Sequence, residues 1–193
     1  PADMAQEQVM NGYAFTFCGA DLIALPCGAL WWAAESTLVV SDLHIGKARR
    51  AARFGGALLP PYEVAQTLTA LDDAVALTRP ATVICLGDSF DDRHAGEDLP
   101  EGAADWITRL MAGRRWIWVE GNHDPGPIGM GGEHIAGLTL GPLTFRHIAT
   151  EAAEAEVSGH YHPKARLAGR SYRCFLLDRH RLILPAFGSY TGG

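Results

Sequence analysis

Residues 116–124 read Trp-Ile-Trp-Val-Glu-Gly-Asn-His-Asp, an apolar run that breaks at a glycine and is followed by three residues able to bind a cation or move a proton. The β-favouring run predicts a buried strand at Trp116–Val119, and Glu120-Gly121 predicts the turn that ends it. A turn by itself requires neither His123 nor the polar residues on both sides of it. Outward from this stretch the arrangement recurs. Leu38-Val39-Val40 runs into Ser41-Asp42-Leu43-His44, and Val83-Ile84-Cys85-Leu86 runs into Gly87-Asp88-Ser89-Phe90-Asp91-Asp92. Leu143-Thr144-Phe145 reaches His147, and Glu156-Val157-Ser158 leads to Gly159-His160-Tyr161-His162. Five apolar runs each end in Asp, Asn or His. Ligands of α/β proteins bind outside the carboxyl ends of the strands, so the five clusters are expected to share one crevice.

The segments between these runs set the fold class. Tyr13–Phe17, Ala29–Ala33 and Thr82–Leu86 read as further strands. Pro61 to about Leu77 reads as a helix, with proline in its first turn and Val64, Leu68, Leu71 and Val75 on one face. Ala103–Met111 is a second predicted helix. After the glycine-rich loop Pro125–Gly132 come only short strand-like runs, at Leu138–Leu140, Leu143–Phe145, Glu156–Val157, Tyr172–Leu177 and Leu182–Leu184. Helices and strands that alternate first and a β-rich second half predict an α/β layered fold with at least one mixed sheet.

Composition bounds the function. The chain has 193 residues, 48% hydrophobic and 20% charged, in the range of one globular domain, and residues 1–193 are expected to form it. No apolar run approaches the ~20 residues that span a bilayer, so no membrane association is expected. Pro1–Gly12 lacks a positive segment followed by an apolar one, which predicts no secretory signal and a cytoplasmic location. The four cysteines, Cys18, Cys27, Cys85 and Cys174, form no C-x-x-C pair, which argues against a zinc ribbon or a disulfide framework. Cys85, within an apolar run, reads as core.

The donor set is oxygen and nitrogen without thiolate, which suits Mn, Fe, Zn or Mg. Asp42 and His44, like His160 and His162, are two residues apart and can point the same way along an extended segment. The ligands exceed what one ion needs, and a shared carboxylate can hold two ions about 3.5–4 Å apart. Such a pair activates a water and clamps the attacking and leaving oxygens of an in-line displacement at phosphorus. Asp-x-His arises often by chance, and Gly-Asp after a strand is usually a turn. Five of the eight histidines nevertheless fall at strand ends, so a core-histidine explanation would have to repeat five times in order.

The order Asp-x-His, Gly-Asp, Gly-Asn-His-Asp, His, Gly-His-x-His, from about Thr37 to His162, resembles the calcineurin-like metallophosphoesterase superfamily. The resemblance implies a four-layer α/β/β/α sandwich of two mixed sheets with a dinuclear centre at one edge. It implies that Asp42, His44, Asp88 and His162 hold one metal and that Asp88, Asn122, His147 and His160 hold the other. It also implies that His123 donates a proton to the leaving oxygen and that Asp124 orients His123. The superfamily's Gly-Asp-x-x-Asp-x-Gly is matched at Asp91 but has Arg93 in place of its last glycine, so Asp91 reads as a supporting residue. His134 competes with His147, which directly follows a strand-like run.

Ser41-Asp42-Leu43-His44-Ile45-Gly46-Lys47 and Leu184-Pro185-Ala186-Phe187-Gly188-Ser189-Tyr190-Thr191-Gly192-Gly193 together are similar to the bacterial ligase-associated DNA damage response endonuclease family. That similarity implies DNA as substrate and a DNA ligase, a helicase and an exonuclease as partners in repair. Mn2+ is the expected metal, with Fe, Zn and Mg sharing the ligand chemistry. The net charge of −6 argues against indiscriminate nucleic-acid binding. Locally, Lys47, Arg49, Arg50 and Arg53 follow the first metal motif, and Lys164, Arg166, Arg170 and Arg173 follow the last. They are expected to form a positive rim along a phosphate backbone, unless they are simply a solvated basic face. Trp31, Trp32, Trp116 and Trp118 read as core rather than as base-stacking platforms. A phosphodiesterase of small or cyclic nucleotides and a non-catalytic scaffold of the same fold are the competing functions.

Overall fold

The computed structural model describes residues 11–47, 62–91, 99–126, 129–152, 154–189 and 191. Seven strands form the first sheet in sequence order: β1 (Tyr13–Phe17), β2 (Ala20–Ala24), β3 (Leu30–Trp32), β4 (Thr37–Val40), β5 (Thr82–Leu86), β6 (Arg115–Val119) and β7 (Glu133–Ile135). The first four are antiparallel neighbours, and β4 to β7 run parallel. The second sheet is built from β8 (Leu138–Leu140), β9 (Leu143–Phe145), β10 (Glu156–Ser158), β13 (Leu176–Leu177) and β14 (Arg181–Ile183). Its order is β13-β14-β10-β9-β8, with β10 parallel to both neighbours. A hairpin of β11 (Lys164–Leu167) and β12 (Arg170–Arg173) stands apart.

Alternation along the strands sorts the core into two layers. Val39, Ile84, Leu86, Ile117 and Val119 point from the first sheet towards Leu143, Phe145, Val157 and Leu182 of the second. Leu38, Val40, Val83, Cys85, Trp116 and Trp118 point the other way, towards helices α1 (Glu63–Thr78) and α2 (Ala103–Met111). The expected apolar face of α1 is the buried one, and Leu68 and Leu71 are almost fully enclosed. Burial of that size contributes about 1.5–3 kcal/mol per leucine. Arg79 closes α1 in the left-handed conformation (φ 46°), its N–H donating to the Val75 carbonyl. Asp72 ties the helices together, accepting from Trp106 Nε1 at 2.8 Å and from Arg109 at 3.0 Å.

The protein is thus an α/β sandwich of two mixed sheets, as its sequence predicts. Both helices found among the described residues lie on the seven-stranded sheet. Trp31, Trp32, Trp116, Trp118 and Cys85 are buried core. Two expectations need correction. Tyr172–Leu177 is not one strand: Arg173 ends β12, and β13 starts only at Leu176. Ala20–Ala24 is a strand where none was expected, paired to β1 through a two-residue turn. Its residues Cys18 (φ 47°) and Gly19 (φ 84°) have the left-handed backbone that suits a tight hairpin.

Candidate metal centre

The parallel strands deliver the chemistry to one edge. Asp42 and His44 follow β4, Asp88 follows β5, Asn122 and His123 follow β6, His147 follows β9, and His160 and His162 follow β10. The loops then lock across the sheets: the His160 N–H donates to Asp42 Oδ2 at 2.9 Å, and the Gly159 N–H to the His147 carbonyl at 3.0 Å. Close packing leaves no room for a side chain at the Gly-His and Gly-Asn motifs. A Cβ on Gly159 would collide with Ser41 Oγ and Asp42 Oδ2, and one on Gly121 with the Asp88 amide.

Two groups of donor atoms result. Asp42, His44 and His162 offer atoms within 4.8 Å of one another, and so do Asp88, His147 and His160. Asp88 Oδ2 stands between the groups, 3.3 Å from His147 Nε2 and 3.9 Å from His44 Nε2. Asn122 Oδ1 is 3.0 Å from His147 Nε2. Every metal ligand expected from the sequence is therefore at this edge. His134 is elsewhere, stacked on Trp118 with its Nε2 beside the Met130 carbonyl.

The protonation pattern shows that the donor set fits cations. His147 Nδ1 lies 2.9 Å from the Leu86 carbonyl, which can only accept, so Nδ1 carries the proton. In the neutral ring, Nε2 then turns a lone pair towards Asn122 Oδ1 and Asp88 Oδ2, themselves acceptors. His44 repeats the arrangement. Its Nδ1 is fixed by Asp91 Oδ1 at 2.9 Å, and its Nε2 faces His162 Nε2 at 3.4 Å. Asp42 Oδ1 is buried without a hydrogen-bond partner among the described residues, 3.2 Å from His162 Nε2. Converging lone pairs and an orphaned carboxylate oxygen are what divalent cations satisfy.

Backbone strain marks the same edge. Asp42 (φ 53°), His44 (φ 46°), Asp88 (φ 45°), His160 (φ 71°) and His162 (φ 45°) all lie in the left-handed region. Each such residue costs about 1–3 kcal/mol, which the rest of the fold must offset. Electrostatics follow from contact. Burial alone would raise the Asp88 carboxyl, but the His147 ring and the His123 amide draw it down to about 2. Burial works against protonation of His147, yet Asp88 beside it raises the imidazole. His160 is lowered, by burial and by the neighbouring His147.

Asp124, expected to orient His123, has a further set of partners. Its carboxylate accepts backbone N–H groups from Asp88 (2.9 Å), Ser89 (2.8 Å), Phe90 (3.1 Å) and Gly121 (3.1 Å). It shapes the loop that presents Asp88. Burial pushes its own carboxyl up to about 6, against the pull of these amides. His123 is held by Asp88, whose Oδ1 accepts its N–H at 2.9 Å, and by the Asp91 carbonyl, 3.2 Å from its Nδ1.

Two contributions were not read from the sequence. Ser41 Oγ donates to Asp42 Oδ2. The C-terminal segment underpins the Asp42 loop, through Phe187 N–H to the Ser41 carbonyl (2.7 Å) and Gly188 N–H to the Asp42 carbonyl (3.1 Å). Arg173, expected in the positive rim, clamps that segment, donating to the carbonyls of Phe187 (3.1 Å) and Gly188 (2.6 Å). Lys47 is half-buried, its N–H donating to the His44 carbonyl at 3.3 Å, and Lys164 is exposed at the start of the hairpin that follows His162. Arg49, Arg50, Arg53 and His94 lie outside the described residues.

Asp91, 4% exposed, would act through His44 if that histidine ligates a metal, since a carboxylate on the outer nitrogen sets the tautomer and ring angle of a ligating histidine. Asp91→Ala is expected to weaken divalent-metal affinity about 10–100-fold, as loss of such a partner does elsewhere. Calorimetric titration of the metal-stripped protein with Mn2+ checks this, and wild-type affinity in the variant would show that His44 needs no such support.

A model of the calcineurin-like phosphoesterase family matches residues 36–177. The crystal structure of Pseudomonas putida nuclease MPE is similar over 95% of this chain and 90% of that one, at 29% sequence identity and a TM-score of 0.76. None of the curated proteins matches the sequence significantly.

Proposed function

From the premise that the chain belongs to the calcineurin-like phosphoesterase family and is a metal-dependent phosphoesterase, we propose that it is a nuclease with a dinuclear centre, cleaving DNA in bacterial repair. The observation that carries the dinuclear reading is Asp88, whose Oδ2 faces His147 Nε2 in one ligand group and His44 Nε2 in the other. Asp42, His44, Asp88 and His162 would hold the first ion, and Asp88, Asn122, His147 and His160 the second. Bound there, divalent cations supply Lewis-acid stabilisation at the phosphoryl oxygens and make a water acidic enough to serve as nucleophile near neutral pH.

The side chains supply the rest. Asn122 has an amide N–H2 to offer the phosphoryl oxygens as charge develops on them. His123 keeps 30% of its side chain exposed and packs edge-on against His44, with ring centroids 5.3 Å apart. A histidine reachable by substrate at this edge suits proton donation to the leaving oxygen. Asp124 acts one step back, by fixing the loop that holds Asp88.

DNA is favoured by the likeness to a nuclease and by the β11–β12 hairpin, which follows His162 and exposes Lys164, Arg166 and Arg170. Repair, with a DNA ligase, helicase and exonuclease as partners, rests on the similarity carried by Ser41–Lys47 and Leu184–Gly193. Mn2+ is the first metal to try. The net charge of −6 favours the second reading, a small nucleotide diester.

Protein loaded with Mn2+ is expected to cleave an end-labelled DNA that carries both single- and double-stranded regions. Chelation should abolish cleavage and added Mn2+ restore it, with the product ladder showing endo- or exonucleolytic action. Protein that holds its metals and hydrolyses bis(p-nitrophenyl) phosphate but leaves this DNA intact would move the assignment to small diesters. The hypothesis of a scaffold without catalysis predicts neither activity.

A further inference from the structure

A pocket of about 290 Å3 adjoins the proposed second metal position. Asn122 and His147 line it on the metal side, and Arg146, Ile148 and Glu120 are among its other walls. An occupant would therefore be continuous with a phosphate held at the ligand cluster.

The walls differ in chemistry. Arg146 Nε lies 3.6 Å from Glu156 Oε2, while 51% of the arginine side chain remains exposed. Glu156 is buried and also accepts from Thr150, at 2.8 Å from its N–H and 2.9 Å from its hydroxyl. The tether thus holds the Nε edge of the guanidinium. Its two Nη groups have no hydrogen-bond partner among the described residues. A guanidinium steadied on one edge and open on the other is pre-organised for a phosphate. Ile148, 42% exposed, offers an apolar wall to a sugar or base. Glu120 is exposed as well, and its carboxylate would repel a phosphate while accepting from a base or sugar donor. The anion is therefore expected on the Arg146 side.

We propose that this pocket is the subsite for the nucleotide flanking the scissile bond, with Arg146 binding that nucleotide's own uncleaved phosphate. The inference rests on the nuclease reading above. It also predicts that the enzyme distinguishes the two ends of its substrate, because the pocket lies on one side of the ligand cluster.

The test compares the thymidine dinucleotide TpT with its phosphorylated forms pTpT and TpTp, using the Mn2+-loaded protein. Wild-type enzyme is expected to cleave one phosphorylated form about tenfold more efficiently than TpT, the size of one charge-assisted contact. Arg146→Ala should erase that preference through KM rather than kcat, and Arg146→Lys should restore part of it. Thermal melting identifies any variant that has simply lost its fold, in which case Arg146→Gln takes its place. No preference in the wild type, or a preference retained in a folded Arg146→Ala protein, overturns the subsite. Hydrolysis of bis(p-nitrophenyl) phosphate with no cleavage of any dinucleotide overturns the nuclease reading, and the subsite with it.

Discussion

Asp88→Asn is expected to lower phosphodiesterase turnover more than about 1000-fold and to remove most of the bound metal. The scale follows from position: losing a group that merely orients a ligand costs about 10–100-fold, and Asp88 is itself placed to be shared by both ligand groups. Asparagine keeps the shape and can still accept the His123 N–H at Oδ1, so the loop should persist. What changes is charge. The carboxylate held at about 2 becomes neutral, and the atom facing His147 Nε2 and His44 Nε2 loses its negative charge or becomes an amide donor. Elemental analysis after gel filtration reads metal content directly, alongside turnover on bis(p-nitrophenyl) phosphate. Full occupancy of two ions in the variant, with activity within tenfold of wild type, would show that the two positions do not depend on Asp88.

What the sequence made legible follows a physical division. Residue types that carry chemistry are rare in apolar surroundings, so Asp42, His44, Asp88, Asn122, His147, His160 and His162 stood out at the ends of strand-like runs, and all lie at one edge. Contacts made by backbone atoms leave no such mark. Asp124 drew notice as a partner for the adjacent His123, but the amides from two loops that donate to its carboxylate could not be read from the sequence. Arg173 read as one more cation of a rim, and its donation to the carbonyl oxygens of residues 187 and 188 could not be read from the sequence. The same holds for the fold. α1 was visible because its periodicity is local. The strand at Ala20–Ala24 depends on a hairpin turn at Cys18-Gly19 and on pairing with β1 and β3, which no short window displays.

His123→Ala should separate proton transfer from metal binding. Loss of a general acid typically costs about 100- to 10,000-fold, and this variant is expected to fall in that range on DNA. It should keep its metals, because Asp88 Oδ1 is held by the backbone N–H of residue 123, which alanine retains. The loss should also depend on the leaving group. A deoxyribose alkoxide leaves poorly without a proton, whereas p-nitrophenolate is stable as an anion and needs little help. Turnover of bis(p-nitrophenyl) phosphate is therefore expected to fall far less than cleavage of DNA, so the ratio of the two activities is the diagnostic quantity. An equal loss on both substrates, with metals retained, would assign His123 to binding the phosphoryl group. Loss of metal together with activity would place it among the residues that support the ligands, as its 4.0 Å approach to Asp88 Oδ2 also permits. The three outcomes differ in two independent readouts, so this one variant decides what the histidine in the Gly-Asn-His-Asp stretch does.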